Sequence, residues 1–175
     1  MEVYTLIPIF GALLFSAFFS GIETAFLAAD KLGMELEKEH KTLKGKLLIQ
    51  LLKRPDYFIS TTLIGNTIAL VIYTTLMTSA LDPYLRACIP VAIHSHALLL
   101  VAQTIISTLS ILILAEFVPK SIFMRSPNRM LSLFALPTAA TAYLLRPFVM
   151  TTTAIAKLFI VYGLRQPYQN TRPIF

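Results

Sequence analysis

The first long apolar run of the chain contains the stretch Phe18-Phe19-Ser20-Gly21-Ile22-Glu23-Thr24-Ala25-Phe26. Within it an ionisable side chain, Glu23, stands beside hydroxyl groups and a glycine. A carboxylate at the centre of a membrane helix costs about 2.5–3.5 kcal/mol on insertion scales, so it is rarely there without a function. On a helix Ser20, Glu23 and Thr24 share one face, because they are spaced i, i+3 and i+4. That face would present oxygen ligands of the kind that hard cations bind.

The amino-acid composition is typical of a membrane protein. Of the 175 residues, 56% are hydrophobic and only 14% are charged, whereas soluble domains carry about 25% charged residues. The net charge of +6 indicates anchoring on anionic lipid headgroups, and no basic cluster with interleaved aromatic residues suggests nucleic acid. Cys88 is the single cysteine, which excludes a disulfide framework and a cysteine-based metal site.

Three apolar runs are long enough to cross a membrane, which requires about 20 residues in a helix. They cover residues 3–29, 57–81 and 97–118. Residues 82–96 contain prolines and charged groups and are predicted to form a loop, in which His94 and His96 would be solvated. The pair Pro119-Lys120 would close the third run.

Two further segments are amphipathic or interrupted. Residues 30–56 mix charged residues with leucines at helical spacing, which predicts a water-exposed amphipathic helix, and Pro55 with Asp56 marks the start of the next helix. Residues 121–164 are apolar but are broken by prolines, at Ser126-Pro127, at Pro137 and at Arg146-Pro147. Such a segment favours interfacial or re-entrant helices over a fourth straight span.

The sequence therefore predicts an all-α membrane protein. It would have three transmembrane helices plus cytosolic amphipathic and juxtamembrane or interfacial helices. Residues 1–164 would form the transmembrane domain and residues 165–175 a polar tail.

The distribution of basic residues predicts the orientation in the membrane. Seven lysines and arginines fall in residues 30–56 and seven more from Lys120 onward, whereas the loop between the second and third runs has only Arg86. Because cytoplasmic segments are enriched in lysine and arginine, we expect both basic segments in the cytoplasm. The N-terminus would then lie outside and the C-terminus in the cytoplasm.

Polar groups of all three runs are expected to meet in the inner half of the membrane. Of the nine acidic residues only Glu23 and Glu116 fall inside the runs, and two buried carboxylates repel each other unless a proton or a cation intervenes. Thr62 and Asn66 share a face of the second run at the same depth. Carboxylate, hydroxyl and amide oxygens without Cys or His suit Mg²⁺, Ca²⁺, Mn²⁺ or Na⁺ rather than zinc or copper.

Each candidate ligand also has a structural alternative. Serine and threonine hydroxyls in membrane helices usually bond to their own helix or join two helices, and Asn66 could join helices in the same way. Glu116 could pair with Lys120. Gly21 and Gly65 could either distort their helices and free backbone carbonyls, as in membrane cation sites, or allow close packing.

Three motifs in this order resemble a known family. Phe19-Ser20-Gly21-Ile22-Glu23-Thr24-Ala25 is similar to its "SGxETA" signature, Leu63-Ile64-Gly65-Asn66 to "LIGN", and Ala115-Glu116-Phe117-Val118-Pro119-Lys120 to "GExxPK". The order and spacing resemble the transmembrane (DUF21) domain of the CorC/CNNM magnesium transporters over about residues 1–160. Ala115 stands where the family usually has glycine.

The resemblance implies a homodimeric magnesium transporter of the plasma membrane (the inner membrane in bacteria), which exports Mg²⁺ in exchange for Na⁺. It implies that the metal is bound within the membrane by residues of the three motifs. These are Ser20, Gly21, Glu23, Thr24, Thr62, Asn66 and Glu116. Gly65, Pro119 and Lys120 would shape or gate the site. The regulatory CBS domains that usually follow in the family are absent from the 175 residues.

Two other classes of function remain open at this point. A membrane-embedded sensor or assembly module would bind a cation without moving it. An intramembrane enzyme is disfavoured, because the runs contain no His–Glu zinc motif and no serine–histidine pair.

Overall fold

The computed structural model describes residues 3–29, 53–88 and 96–158, and every regular element in these ranges is a helix. The elements are α1 (Val3–Ala28), α2 (Pro55–Cys88), α3 (His96–Ser110), a π-helical segment (Ile111–Phe117), α4 (Val118–Arg125), α5 (Pro127–Leu144) and α6 (Arg146–Leu158). The predicted amphipathic helix lies largely in residues 30–52, and the polar tail lies in residues 165–175. Both are outside the described residues.

Three helical stretches are long and apolar enough to cross a membrane. They are Leu6–Ala28, Pro55–Cys88 and His96–Arg125. The helices α5 and α6 would qualify only as a pair, and they are bent by 62° relative to each other. The predicted all-α membrane fold with three spans is therefore confirmed, and the broken C-terminal region forms a bent helix pair.

The second span is longer than its apolar run. Helix α2 begins at Pro55, with Asp56 in its first turn, as predicted. It does not end before Asp82 but continues through Pro83 to Cys88, and His96 is already the first residue of α3, so the predicted loop over residues 82–96 is wrong at both ends. Contacts of the Asp82 carboxylate with α2 and α3 hold these additional turns. A helix of 34 residues is about 51 Å long, so its ends extend beyond a hydrocarbon core of about 30 Å.

The third span does not stop at Pro119-Lys120 either, because its backbone continues to Arg125. The ring of a proline inside an α-helix clashes with the carbonyl four residues earlier, here that of Ala115. The structure avoids this clash by widening the preceding turns into a π-helix, in which the Val118 N–H donates to the carbonyl of Ile113, five residues back. Pro137 likewise lies inside α5 without ending it, contrary to the sequence-based expectation.

Helix α1 is the central element of the bundle. It packs against α2, the π-helical segment, α4 and α5. One apolar cluster surrounds its C-terminal half and another its N-terminal half. The first contains Ile22, Ala25, Phe26, Phe58, Leu131 and Ala135, and the second Ile9, Ala12, Leu13, Tyr73, Ala80 and Ala115.

The outer surface of the spans is strongly apolar. Phe10 is 62% exposed, Val71 58% and Leu112 53%, so each of the three spans has large hydrophobic side chains on its outside. Such continuous apolar surfaces are not tolerated in water but are what lipid chains solvate. The surface therefore agrees with a membrane location.

Candidate metal centre

Helices α1 and α2 meet at a polar contact in the middle of the bundle. The hydroxyl of Ser16 donates to the side-chain carbonyl oxygen (Oδ1) of Asn66 at 2.6 Å, and Ser16 is fully buried. Close by, the ring of Phe19 packs directly on Gly65. The absence of a side chain at Gly65 therefore lets the two helices approach closely enough for the serine and the asparagine to bond.

Ser20 lies one helical turn from Ser16 and differs from the hydroxyls of Ser16 and Thr24 in having no hydrogen-bond partner. The side chain is 1% exposed, and its Oγ is buried without any hydrogen-bond partner. Leaving a buried hydroxyl unpaired costs about 1–3 kcal/mol. A bound water or cation at this position would remove that cost, so Ser20 marks the place where a ligand is expected.

The two candidate threonines use their hydroxyls within their own helices. Thr24 donates to the carbonyl of Ser20 at 3.0 Å, and Thr62 donates to the carbonyl of Ile59 at 2.9 Å. This is the structural role that such residues commonly have in membrane helices. A hydroxyl binds a cation through its oxygen lone pairs, so both threonines could still act as ligands, but neither is left without a hydrogen bond as Ser20 is.

Glu116 is half-buried and lies within the π-helical segment. Since Pro119 has no N–H, the hydrogen-bond ladder lacks a donor one turn after Ala115. Segments of π-helix often occur at functional sites, because they change the direction of side chains and free backbone groups. Of the two alternatives considered for Gly21 and Gly65, the structure shows close packing, because both glycines lie in regular helix beneath a phenylalanine ring. The distortion occurs around Glu116 instead.

The packing fixes the level of Glu116 along the bundle. Ala115 belongs to the apolar cluster that contains Leu13, whereas the ring of Phe123 covers Gly21. The two pairs are eight residues apart along each helix, from Leu13 to Gly21 in α1 and from Ala115 to Phe123 in the third span, so the third span runs alongside α1 in a constant register. Glu116 is therefore within about 3 Å of the level of Ser16 along the axis.

Glu23 lies about nine residues farther along α1 than this level, or about 13 Å at the helical rise. It is half-buried, and the ammonium group of Lys120 is close enough to interact with its charge. Within the described part of the chain, neither Glu23 nor Glu116 has an ion pair within 4.0 Å. The two carboxylates are thus at different levels, and Lys120 faces Glu23 rather than closing a salt bridge with Glu116.

The structure brings together a smaller set than the sequence predicted. Asn66, through its bond to Ser16, lies near the level of Glu116. By the same register Ser20 lies about 9 Å farther along α1, and Glu23 and Thr24 lie farther still. Gly21 and Gly65 have packing roles, each beneath a phenylalanine ring. Pro119 is buried and Lys120 is exposed.

Ser16 joins two helices, as serines in membrane helices usually do, because its hydroxyl bonds to Asn66 of α2; the motifs alone did not single it out as part of the site. Its spacing was nevertheless informative: Ser16 and Ser20 are i and i+4 and lie on one face of α1. What the sequence could not show is that Asn66 of another helix would be the hydrogen-bond partner of Ser16.

No group of three or more His, Cys, Asp or Glu side chains comes together among residues 3–29, 53–88 and 96–158. A site built from one carboxylate, hydroxyls and an amide is weak for zinc or copper and appropriate for a hard cation that keeps part of its water. A cleft of about 350 Å³ between α1, α2 and the bend before α6 is lined by apolar groups and Thr141. It offers a cation no comparable ligands.

Comparison with known families agrees with this architecture. The family described as the cyclin M transmembrane N-terminal domain, CNNM, matches residues 7–173. The chain belongs to the CNNM family. No curated protein sequence matches the chain significantly. As a CNNM membrane domain, the protein has three helical spans, and the buried Ser16 of α1 bonds to the half-buried Asn66 of α2 between two of them.

Proposed function

We propose that this CNNM domain carries Mg²⁺ across the plasma membrane through a site formed by α1, α2 and the π-helical segment. The observation that carries the proposal is the buried, unpartnered hydroxyl of Ser20 beside the Ser16–Asn66 hydrogen bond. Membership of a family consistent with divalent cation transport supports it. The cation is the transported substrate and not a resident cofactor.

The proposed ligands are the Ser20 hydroxyl, the Asn66 amide oxygen and the Glu116 carboxylate. Ser16 positions Asn66, because its hydroxyl donates to Oδ1 and thereby keeps the oxygen on the α1 side of α2. Mg²⁺ requires six oxygens at about 2.1 Å and gives up water reluctantly, so waters would complete its shell. The neutral ligands would replace part of this hydration, and Glu116 would supply the negative charge.

The proposal also gives the direction in which Mg²⁺ moves and the ion whose movement drives it. The concentration of basic residues in 30–56 and beyond Lys120 supports a cytoplasmic location for both segments, with the N-terminus outside. Export of Mg²⁺ against its gradient requires a second ion. Glu116 would accept Na⁺ once Mg²⁺ has left, and a homodimer would provide two such sites.

A second candidate function is a cation-binding module that does not transport. It is favoured by the close packing on both sides of the site, where Phe19 covers Gly65 and Phe123 covers Gly21. Under this alternative, Mg²⁺ would stabilise the bundle and transmit its occupancy to a partner or to regulatory domains.

Flux measurements on the purified protein in proteoliposomes distinguish the two functions. We expect Mg²⁺ movement, reported by a trapped fluorescent indicator, that increases with an opposing Na⁺ gradient. Ser20→Ala, Asn66→Ala and Glu116→Gln should each reduce it at least tenfold. Thr104→Ala is the matched control, because Thr104 is exposed on α3 and bonds only to its own helix.

Loss of flux in the three site variants but not in the control supports the transporter. Stabilisation of the wild type by Mg²⁺ without any flux would support the non-transporting module. Equal flux in Ser20→Ala and Thr104→Ala would contradict the proposed site.

A further inference from the structure

A second set of polar groups is buried at the other end of α2 and α3. The buried residues of α3 are Leu99, Gln103 and Ser107, which are four residues apart and form one face. This face packs against α2. Two of the three are polar, whereas most exposed side chains of α3 are apolar. A helix in lipid turns its polar groups towards protein, so the polar groups of this face are available for contacts with α2.

Ser107 resembles Ser20 in having no partner. It is 5% exposed, and its Oγ is buried without a hydrogen bond. Within the described part of the chain, Ser20 and Ser107 are the two residues with such an atom. By contrast, Thr104 and Ser110 on the same helix donate to the carbonyls of Leu100 and Ile106. The hydroxyl of Ser107 is therefore buried on the face that packs against α2 but, unlike those of Thr104 and Ser110, does not bond to its own helix.

One turn from Ser107, Gln103 reaches across to a carboxylate of α2. Its Nε2 donates to Oδ1 of Asp82 at 3.3 Å, a long hydrogen bond. The other oxygen of Asp82 accepts from Nε of Arg86 at 2.7 Å. The side chain of Arg86 is 50% exposed, so this cation can move into water without breaking any other contact in the described residues.

We propose that Asp82, Gln103 and Ser107 form a second cation station at the far end of the α2–α3 pair. It would hold a partly hydrated divalent cation such as Mg²⁺ when Arg86 turns away from Asp82. The oxygens are suitable: a carboxylate, a hydroxyl and, after rotation of the amide group of Gln103, an amide oxygen. Mg²⁺ is commonly held by one or two carboxylates with several waters, which suits the exposed side of this cluster.

Arg86 then acts as a built-in competitor for the cation. Its guanidinium neutralises Asp82 when the station holds no ion, and a divalent cation displaces it. The binding of a cation at the station is independent of the proposed function. A further role, as the place where the transported ion leaves the protein, rests on that function. This separates the two proposals experimentally.

Titration with Mn²⁺, followed by electron paramagnetic resonance of the full chain in lipid nanodiscs, tests the station. The inner site is first removed with Ser20→Ala and Asn66→Ala. We expect one Mn²⁺ per chain to remain, weakened about tenfold by Ser107→Ala and abolished by Asp82→Asn. Arg86→Gln should tighten it about tenfold, an effect that a merely structural salt bridge would not produce. Ser110→Ala is the matched control on α3.

The possible results are distinguishable. No residual Mn²⁺, a loss of affinity in Arg86→Gln, or equal affinity in Ser107→Ala and Ser110→Ala overturns the station. Occupancy by Na⁺ alone, seen by ²³Na magnetic resonance, overturns its assignment to a divalent cation. If the variant without the inner site keeps one Mn²⁺ with the expected pattern, but the wild type shows no flux, the station is supported and the transporter is contradicted. Flux without a second bound ion contradicts only the station.

Discussion

The contact between Phe19 and Gly65 allows a quantitative test of how α1 and α2 are held together. A methyl group added by Gly65→Ala would lie within 2.6 Å of the Cε1 and Cε2 atoms of the Phe19 ring. Ordinary contacts at such a carbon begin near 3.4 Å, so the ring would have to move by nearly 1 Å. The ring is 1% exposed and lies against the rings of Phe15 and Phe18 at centroid distances of 5.4 and 5.3 Å, so moving it disturbs this packing even where it borders the apolar cleft.

Overpacking of this kind destabilises a protein by about 1–3 kcal/mol. We expect Gly65→Ala to lower the free energy of unfolding by that amount, even though alanine favours a helix by up to about 1 kcal/mol over glycine. The separation of the helices should also break the Ser16–Asn66 hydrogen bond and reduce cation binding. The assay is reversible unfolding in mixed micelles, followed by circular dichroism.

Gly11→Ala is the matched control, because a methyl group at Gly11 would have nothing within 4 Å. It should leave stability unchanged or raise it slightly. A second variant, Phe19→Leu combined with Gly65→Ala, should recover part of the loss, because the smaller side chain leaves room for the methyl group. Equal stability of Gly65→Ala and Gly11→Ala would refute the reasoning.

Three other predictions follow from particular contacts. Tyr57→Phe should lower stability by about 1 kcal/mol in the same assay, since it removes the 2.8 Å hydrogen bond from the tyrosine hydroxyl to the carbonyl of Ala142. Pro119→Ala should let the π-helical turns revert to α-helix and turn Glu116, which would weaken Mg²⁺ binding about tenfold in calorimetric titration. Mg²⁺ at 100 times its dissociation constant should stabilise the wild type by about 2.7 kcal/mol, and Ser20→Ala should reduce this effect.

Each of these predictions has a contradicting result. Unchanged stability of Tyr57→Phe would show that its hydroxyl does not hold the α5–α6 region. Full Mg²⁺ affinity in Pro119→Ala would show that the π-helical geometry is not needed for the cation site. A stabilisation by Mg²⁺ that survives in Ser20→Ala would place the bound ion elsewhere.

The all-helical architecture could be predicted from the sequence, because it depends on hydrophobicity averaged over many residues. Twenty or more apolar residues must form a helix in lipid, and prolines at 127 and 147 begin new helices in most contexts. The residues at which the spans end were harder to predict, because they depend on single contacts. The helical turns around Asp82 are supported by hydrogen bonds from Arg86 and Gln103 to its carboxylate. The i, i+4 spacing of Asp82 and Arg86 is visible in the sequence, but the partner on α3 is not.

The candidate site was predictable in its chemistry but only in part in its geometry. The polar motifs drew attention to Ser20, Asn66 and Glu116, whose levels lie within about 9 Å of one another along the axis of α1. Sequence reasoning also placed Glu23 at the level of Glu116, because counting residues from the ends of the spans assumes straight helices of equal depth. The continuation of the third span past Pro119 changed that register by several turns.

The central claim is that a divalent cation binds between Ser20, Asn66 and Glu116. The most direct measurement is anomalous diffraction from crystals of the protein grown with Mn²⁺, a substitute for Mg²⁺ that can be located unambiguously. We expect an anomalous peak within about 2.2 Å of Ser20 Oγ and Asn66 Oδ1, which should vanish in Ser20→Ala crystals. A well-ordered structure without density at this position, or with a peak that persists in the variant, would contradict it.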